Sequence, residues 1–314
     1  MNHGCLPSRV RRRLQVVVGL CVLSCATLAG AQEAPACRTD AFQAPSTLAR
    51  RLAAMALAEH ERMGGALINE QGALVQTGLA EAERDPITGS AWPAWRLVWS
   101  YWESAGVGLP ADDDAPTAVK RVALVDTPWS AVFISHVMRT AGLSDAQFRF
   151  SATHQAYVRA AFASHAAKAR GEATTYAYRA CDAWATPPRV GDVLCSTRAP
   201  DDDVDSFASL GLTLLWRALS MHCELVVEQD SAHIGLVGGN VAQTVVLRRM
   251  ALQTNGSGLL WPAYGTAFHL QQALTAKALP PQGGVQQLWP PTHLSQQSWS
   301  VLLQLRPEMA AETP

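Results

Sequence analysis

The sequence predicts an α+β fold, with helices in its first half and a mostly antiparallel β-sheet in its second. Three observations carry this. Apolar residues recur at three- and four-residue spacing through the first half of the chain, the helical period. From Val190 onward, short β-branched runs bounded by Gly, Pro and Asp take over. Two of these, His222–Val227 and His233–Val237, are joined by Glu228-Gln229-Asp230-Ser231 and read as a hairpin.

Taken in order, the first helix starts at Ser46 or Thr47, runs through Leu48, Leu52, Met55, Leu57 and Met63, and closes at Gly64-Gly65. A loop-rich connection follows to Gly89. Trp92, Trp95, Trp99 and Trp102 are spaced by three, four and three, one face of a helix ending at Gly106. That spacing favours core packing over an aromatic glycan groove. Asp112-Asp113-Asp114 between Pro110 and Pro116 reads as a solvated loop. Asp126 or Thr127 then caps a helix with Pro128 in its first turn, stopped by Gly142. Its apolar stripe holds Ser130, Phe133, Ile134, Val137 and Ala141, so a hydroxyl stands at the N-terminal end of a core-facing row.

Ser151 to His154 opens another helix through Tyr157, Ala160, Phe162 and Ala166. Pro187-Pro188 precedes a strand from Val190 to Cys195, and Asp201-Asp202-Asp203 with Asp205 reads as an exposed loop. After the hairpin, Gly238-Gly239 permits a sharp change of direction before Asn240. Thr244–Arg249 and Trp299–Leu305 are further strands. Between them, residues 256–291 are rich in Gly, Pro and Gln.

With 48% hydrophobic and 16% charged residues among 314, the chain is a packed globular protein. Its net charge of −1 gives no electrostatic case for nucleic acid or an anionic membrane. The N-terminus has the pattern of an export signal: Arg9 and Arg11–Arg13, a short apolar run from Leu14 to Cys25, and Ala29-Gly30-Ala31 as the cleavage site. That run falls short of the roughly 20 residues a membrane span needs, so no transmembrane segment remains after signal removal. The expected organisation is a signal peptide over 1–31, a linker over 32–45, a main domain over 46–250 and a C-terminal extension over 251–314. The product is periplasmic or secreted. Val22-Leu23-Ser24-Cys25 loosely resembles a lipoprotein box, which makes lipid anchoring at Cys25 the alternative form of export.

Four cysteines outlast the signal: Cys37, Cys181, Cys195 and Cys223. An oxidising destination permits two disulfides in any of three connectivities. If the strands ending at Cys195 and opening at His222 are neighbours, Cys195–Cys223 is the natural bridge and Cys37–Cys181 the remainder. Buried free thiols are the alternative.

Ser130, His222 and Asn240 supply a nucleophile, a base and an orienting partner. Backbone N–H groups at the helix start could serve an oxyanion. Glu224 shares the His222 face and could balance an imidazolium. Trp129 and His154 are auxiliary candidates, although a capping Ser151 with a packed His154 is the simpler structural reading. A zinc site from His136, His154, His222 and Glu224 lacks ligand spacing, and no cofactor is implied.

The ordered motifs Pro128-Trp129-Ser130-Ala131-Val132-Phe133-Ile134-Ser135, Ser151 with His154, Gly191-Asp192-Val193-Leu194-Cys195, His222-Cys223-Glu224-Leu225-Val226-Val227 and Gly238-Gly239-Asn240-Val241 resemble domain-of-unknown-function family 2272. The match spans roughly Leu48 to Arg249, or on to the last strand. The pattern is also similar to papain-like cell-wall enzymes, the CHAP amidases and NlpC-type endopeptidases. That resemblance implies a papain-like fold, with Ser130 at the nucleophile position, His222 at the base and Asn240 at the orienting position. It also implies hydrolysis of amide or ester bonds, with peptidoglycan peptide or another envelope component as partner. Those enzymes carry a cysteine where this chain has Ser130. A serine gains less from a helix dipole than a thiol does, which favours a second expectation: an inactive binding or structural protein of the envelope that retains the fold.

Overall fold

Helix α1 (Thr47–Arg62) begins where the sequence places it, because the Ser46 side chain accepts the Ala49 backbone N–H at 3.1 Å. Gly64 and Gly65, both at positive φ, end it. The computed structural model describes residues 37–40, 42–83, 92–198, 204, 206–265 and 292–307. The export signal, Cys25, Asp201–Asp203, Asp205 and most of the Gly/Pro/Gln-rich tract lie outside the described residues.

Helix α2 (Ala94–Ala105) buries Trp95, Trp99 and Trp102 in the main core and stops at the left-handed Gly106. Trp92 precedes the helix and is exposed. Three elements depart from the sequence reading nearby. The stretch read as loop contains strands β1 (Ala66–Ile68) and β2 (Leu74–Gln76), and the chain from Thr117 forms helix α3 (Thr117–Asp126). Asp126 therefore ends α3 and does not cap the next helix. A residue before proline is pushed toward extended backbone, and Thr127 has φ −114° and ψ 114°. Thr127-Pro128 thus separates α3 from α4 (Ser130–Thr140), whose N-cap is Trp129.

Helix α5 (His154–Ala169), strand β3 (Tyr178–Cys181), strand β4 (Val193–Thr197) and helix α6 (Phe207–Trp216) follow. Strand β3 and helix α6 lie where the sequence reading placed no element. Then come β5 (Met221–Gln229), β6 (His233–Val241), β7 (Thr244–Ala251) and β8 (Ser298–Leu305). The architecture is α+β, six helices with one eight-stranded sheet in the order β2-β1-β7-β6-β5-β4-β8-β3. Every pairing is antiparallel except β1 with β7. Strand β8, from the C-terminal extension, lies between β4 and β3.

The sheet is covered on both faces, and its two-residue side-chain period decides which residues meet which layer. Val193, Cys195, Cys223, Leu225, Val237 and Leu303 pack beneath the helices. Leu194, Val226, Leu236, Met250 and Leu302 pack on the other side with Leu260, Tyr264 and Trp299. The β4–β5 register sets Cys195 opposite Cys223, with Cα atoms 4.1 Å apart, and the two are bonded. Cys37 and Cys181 form the second disulfide, so both pairings are the ones the strand order suggested. Among the described residues, no helix is long and apolar enough to cross a membrane.

Helix α4 lies against β5 and β6 at a distance that only glycine permits. A Cβ on Gly239 would sit 2.5 Å from Phe133 Cβ and 2.8 Å from the Trp129 ring, and one on Gly238 would sit 2.7 Å from Glu224 Cγ. The Gly238-Gly239 pair thus serves close packing on both faces of β6. Overpacking of this kind costs about 1–3 kcal/mol. Gly239→Ala should lower the unfolding midpoint by that scale. Gly108→Ala, where no atom lies within 4 Å of the added methyl, should leave the midpoint near wild type. Equal thermal melts for the two variants would contradict the close approach.

Candidate functional site

Ser130 opens α4, and its Oγ is hydrogen-bonded to His154 Nε2 at 2.6 Å. The placement of His154 is local in origin. Ser135, on α4, donates from Oγ to the Ser151 carbonyl at 2.9 Å and accepts the Ser151 N–H at 3.0 Å. This double contact ties the chain before α5 to α4, so the first residue of α5 arrives beside the first residue of α4. One helical turn on, the Tyr157 hydroxyl is hydrogen-bonded to His154 Nδ1. Ser130 and His154 are 4% and 5% exposed. Burial first, then the neighbouring His222 and Arg198, holds His154 well below the ordinary imidazole range, so it is neutral. Burial also pushes Tyr157 well up, keeping its proton in place.

His222 belongs to a different layer. Alternation along β5 sends Cys223 and Leu225 toward the helices, which turns His222 and Glu224 to the opposite face. The His222 ring meets His154 at the end of the sheet, with centroids 5.3 Å apart and the rings edge to face. Arg198 Nη2 donates to His222 Nδ1 at 3.1 Å. A guanidinium only donates, so Nδ1 carries no proton, and Nε2 donates to Glu224 Oε1 at 3.3 Å. Burial lowers the His222 pKa, against an opposing pull from Glu224. His222 is therefore a neutral imidazole with both nitrogens engaged.

Glu224 is fixed by Arg248. Nε donates to Oε2 and Nη2 to Oε1, each at 2.9 Å, a two-pronged pair at 1% exposure on both sides. Arg248 Nη1 continues to the Leu294 carbonyl at 2.7 Å and Ser295 Oγ at 3.2 Å. Burial works to raise the Glu224 carboxyl, but the Arg248 charge and the hydrogen bonds from His222 and Arg248 hold it down at about 2.

Of the residues the sequence singled out, Ser130 and His154 are joined, and His222 and Glu224 are joined. Ser130, His222 and Asn240 do not form one hydrogen-bonded set. Asn240 closes β6 at φ +56°, half-buried, and makes no hydrogen bond to His222. It does share an open cleft with His222, of about 530 Å³, lined also by Arg198, Arg248, Gln296 and Ser298. Ser130 and His154 are not among the lining residues. Trp129 is fully buried, its indole N–H donating to Glu81. It locks the start of α4 and does not face the cleft. No group of three or more His, Cys, Asp or Glu among the described residues could hold a metal ion.

Sequence reasoning passed over Arg198, Arg248 and Ser135. A signal existed for Arg248. It is a charged residue in the apolar strand Thr244-Val245-Val246-Leu247-Arg248, and such a residue turned inward requires a buried partner of opposite sign. Nothing in the sequence marks Arg198 or Ser135.

The fold and site define an α+β protein with a serine-opened helix seated on an antiparallel sheet and a polar cleft at that sheet's end. A family model described as "Uncharacterized protein conserved in bacteria (DUF2272)" matches residues 90–303. The chain belongs to domain-of-unknown-function family 2272. No curated protein and no solved structure matches it.

Both site histidines have folded-state pKa values lowered from 6.5. The unfolded chain therefore takes up protons at a pH where the folded chain stays neutral. Stability is full above about pH 6.5 and falls as the pH drops below it. Glu224 adds a separate loss as the pH falls from about 4.5 toward 2. Thermal melts from pH 7.5 to 5 should show a falling midpoint, with a shallower fall in His154→Gln. A flat wild-type profile over that range would contradict the neutral, buried histidine pair.

Proposed function

We propose that the protein is a non-catalytic ligand-binding domain of the cell envelope, with the cleft beside His222, Asn240 and Arg198 as its binding site. The observation that carries this reading is the separation of parts. The accessible cleft holds neither Ser130 nor its hydrogen-bonded histidine, while His222, at the base position implied by the papain-like resemblance, has both nitrogens engaged. The chemistry available to Ser130 points the same way. His154 is backed by the neutral Tyr157 hydroxyl, so a proton taken from Ser130 would create an imidazolium with no carboxylate against it. Glu224, the carboxylate beyond His222, is committed to Arg248. Export rests on the N-terminal signal pattern and agrees with the two disulfides. Peptidoglycan peptide is the partner suggested by the resemblance.

One observation favours a second reading, hydrolysis of amide or ester bonds. A serine hydroxyl at a helix N-terminus, 2.6 Å from a neutral imidazole nitrogen, is the minimal nucleophile–base pair. In that reading His154 is the base in place of His222. The two readings separate cleanly. Binding predicts that purified sacculi retain the folded protein without release of fragments, and that a fluorophosphonate serine probe leaves it unlabelled. Labelling at Ser130 that disappears in His154→Ala would overturn binding in favour of hydrolysis.

A further inference from the structure

Two arginines are among the described residues that line the cleft, and of these one has charge to offer a ligand. Arg248 uses Nε and Nη2 on Glu224 and Nη1 on Leu294 and Ser295. The pair with Glu224 is neutral as a unit. Arg198 is exposed at the cleft wall, and among the described residues its side chain makes one hydrogen bond, from Nη2 to His222 Nδ1. Nε, Nη1 and the second Nη2 hydrogen have no partner among the described residues and remain for a ligand. Among the described residues no acidic side chain lines the cleft, so the described lining presents one uncompensated positive charge. The guanidinium, anchored through one Nη2 hydrogen, keeps N–H donors and its full charge for an oxyanion.

The other free groups indicate what the anion is attached to. Among the described residues, the side-chain amides of Asn240 and Gln296 make no hydrogen bond to protein, and both line the cleft. Each offers a donor and an acceptor, the complement of a peptide group. Asn240 is held at φ +56° where β6 turns into β7, which presents its amide on a rigid corner, not a long loop.

We propose that the cleft binds a peptide through a free carboxylate, with Arg198 as the residue that recognises the charge and Asn240 and Gln296 reading the adjoining peptide group. This rests on the binding reading above and adds the ligand class to it. Because the described residues of the site carry one uncompensated cation, the preferred group is a singly charged carboxylate.

The test is a matched pair of probes, N-acetyl-trialanine and its C-terminal amide, titrated against the full mature chain and followed by backbone NMR shifts. The acid should bind about tenfold or more tightly than the amide, with shifts centred on Arg198, Asn240 and Gln296. Arg198→Gln should abolish the preference while circular dichroism shows the fold retained, and Arg198→Lys should retain part of it. Ser130→Ala should retain all of it. Equal binding of acid and amide would overturn carboxylate recognition while leaving the binding reading in place. Binding of glucuronate but neither peptide would overturn the peptide assignment, and binding of no probe would overturn the inference outright. Serine-probe labelling of Ser130 would instead count against the binding reading itself.

Discussion

The buried Glu224–Arg248 pair sets the terms for everything around the cleft. Two full charges at 1% exposure are tolerable only when each is matched and its remaining hydrogen-bonding capacity is used. That condition is met by drawing in three separate parts of the chain: β5 through Glu224, β7 through Arg248, and the segment before β8 through Leu294 and Ser295. The same carboxylate accepts a hydrogen bond from His222 Nε2–H and thereby fixes the imidazole tautomer. Replacing either charged partner alone would strand the other in the interior, a loss of about 3–5 kcal/mol. The pair therefore organises the cleft and at the same time removes Arg248 from ligand recognition.

A second constraint is geometric. Strand side chains alternate, so once Cys223 bonds Cys195 beneath the helices, His222 and Glu224 must face the other layer. Ser130 lies on the helix side, pressed toward the sheet by the contact of Phe133 and Trp129 with Gly239. The two histidines meet only at the sheet's end. A nucleophile-like pair and a ligand-sized cleft thus occupy adjacent but distinct places. In this arrangement the Ser130–His154–Tyr157 chain joins α4 to α5, and the cleft is left to His222, Asn240 and Arg198.

Much of the fold was legible because its signals are local. Ser46 caps α1, Gly106 ends α2, and the turn after Gln229 makes the hairpin, each through interactions within a few residues. The cysteine pairing followed once neighbouring strands were assumed. Reading failed where the deciding contact was remote. Strand β1 forms because β7, far along the chain, offers it parallel partners. The start of α4 was misplaced because Pro128 suits both a first helical turn and the gap between two helices, and the existence of α3 decides between them. Within the site, residue types were found but not their pairing. The sequence favoured His222 over His154 as the partner of Ser130, and the actual pairing is made by Ser135, whose grip on Ser151 carries His154 to α4. Glu224 was recognised as sharing the His222 face, whereas its stronger partner, Arg248, was not.

The central claim is that Ser130 is coupled to His154 while burial and Arg198 hold His222 neutral against the pull of Glu224. Side-chain nitrogen NMR of the histidines reads this directly. The account predicts that at pH 7 His222 is a neutral imidazole protonated at Nε2, and that Ser130→Ala moves the His154 nitrogen resonances while leaving those of His222 essentially in place. A His222 protonated on both nitrogens at pH 7, or a Ser130→Ala response centred on His222, would contradict it.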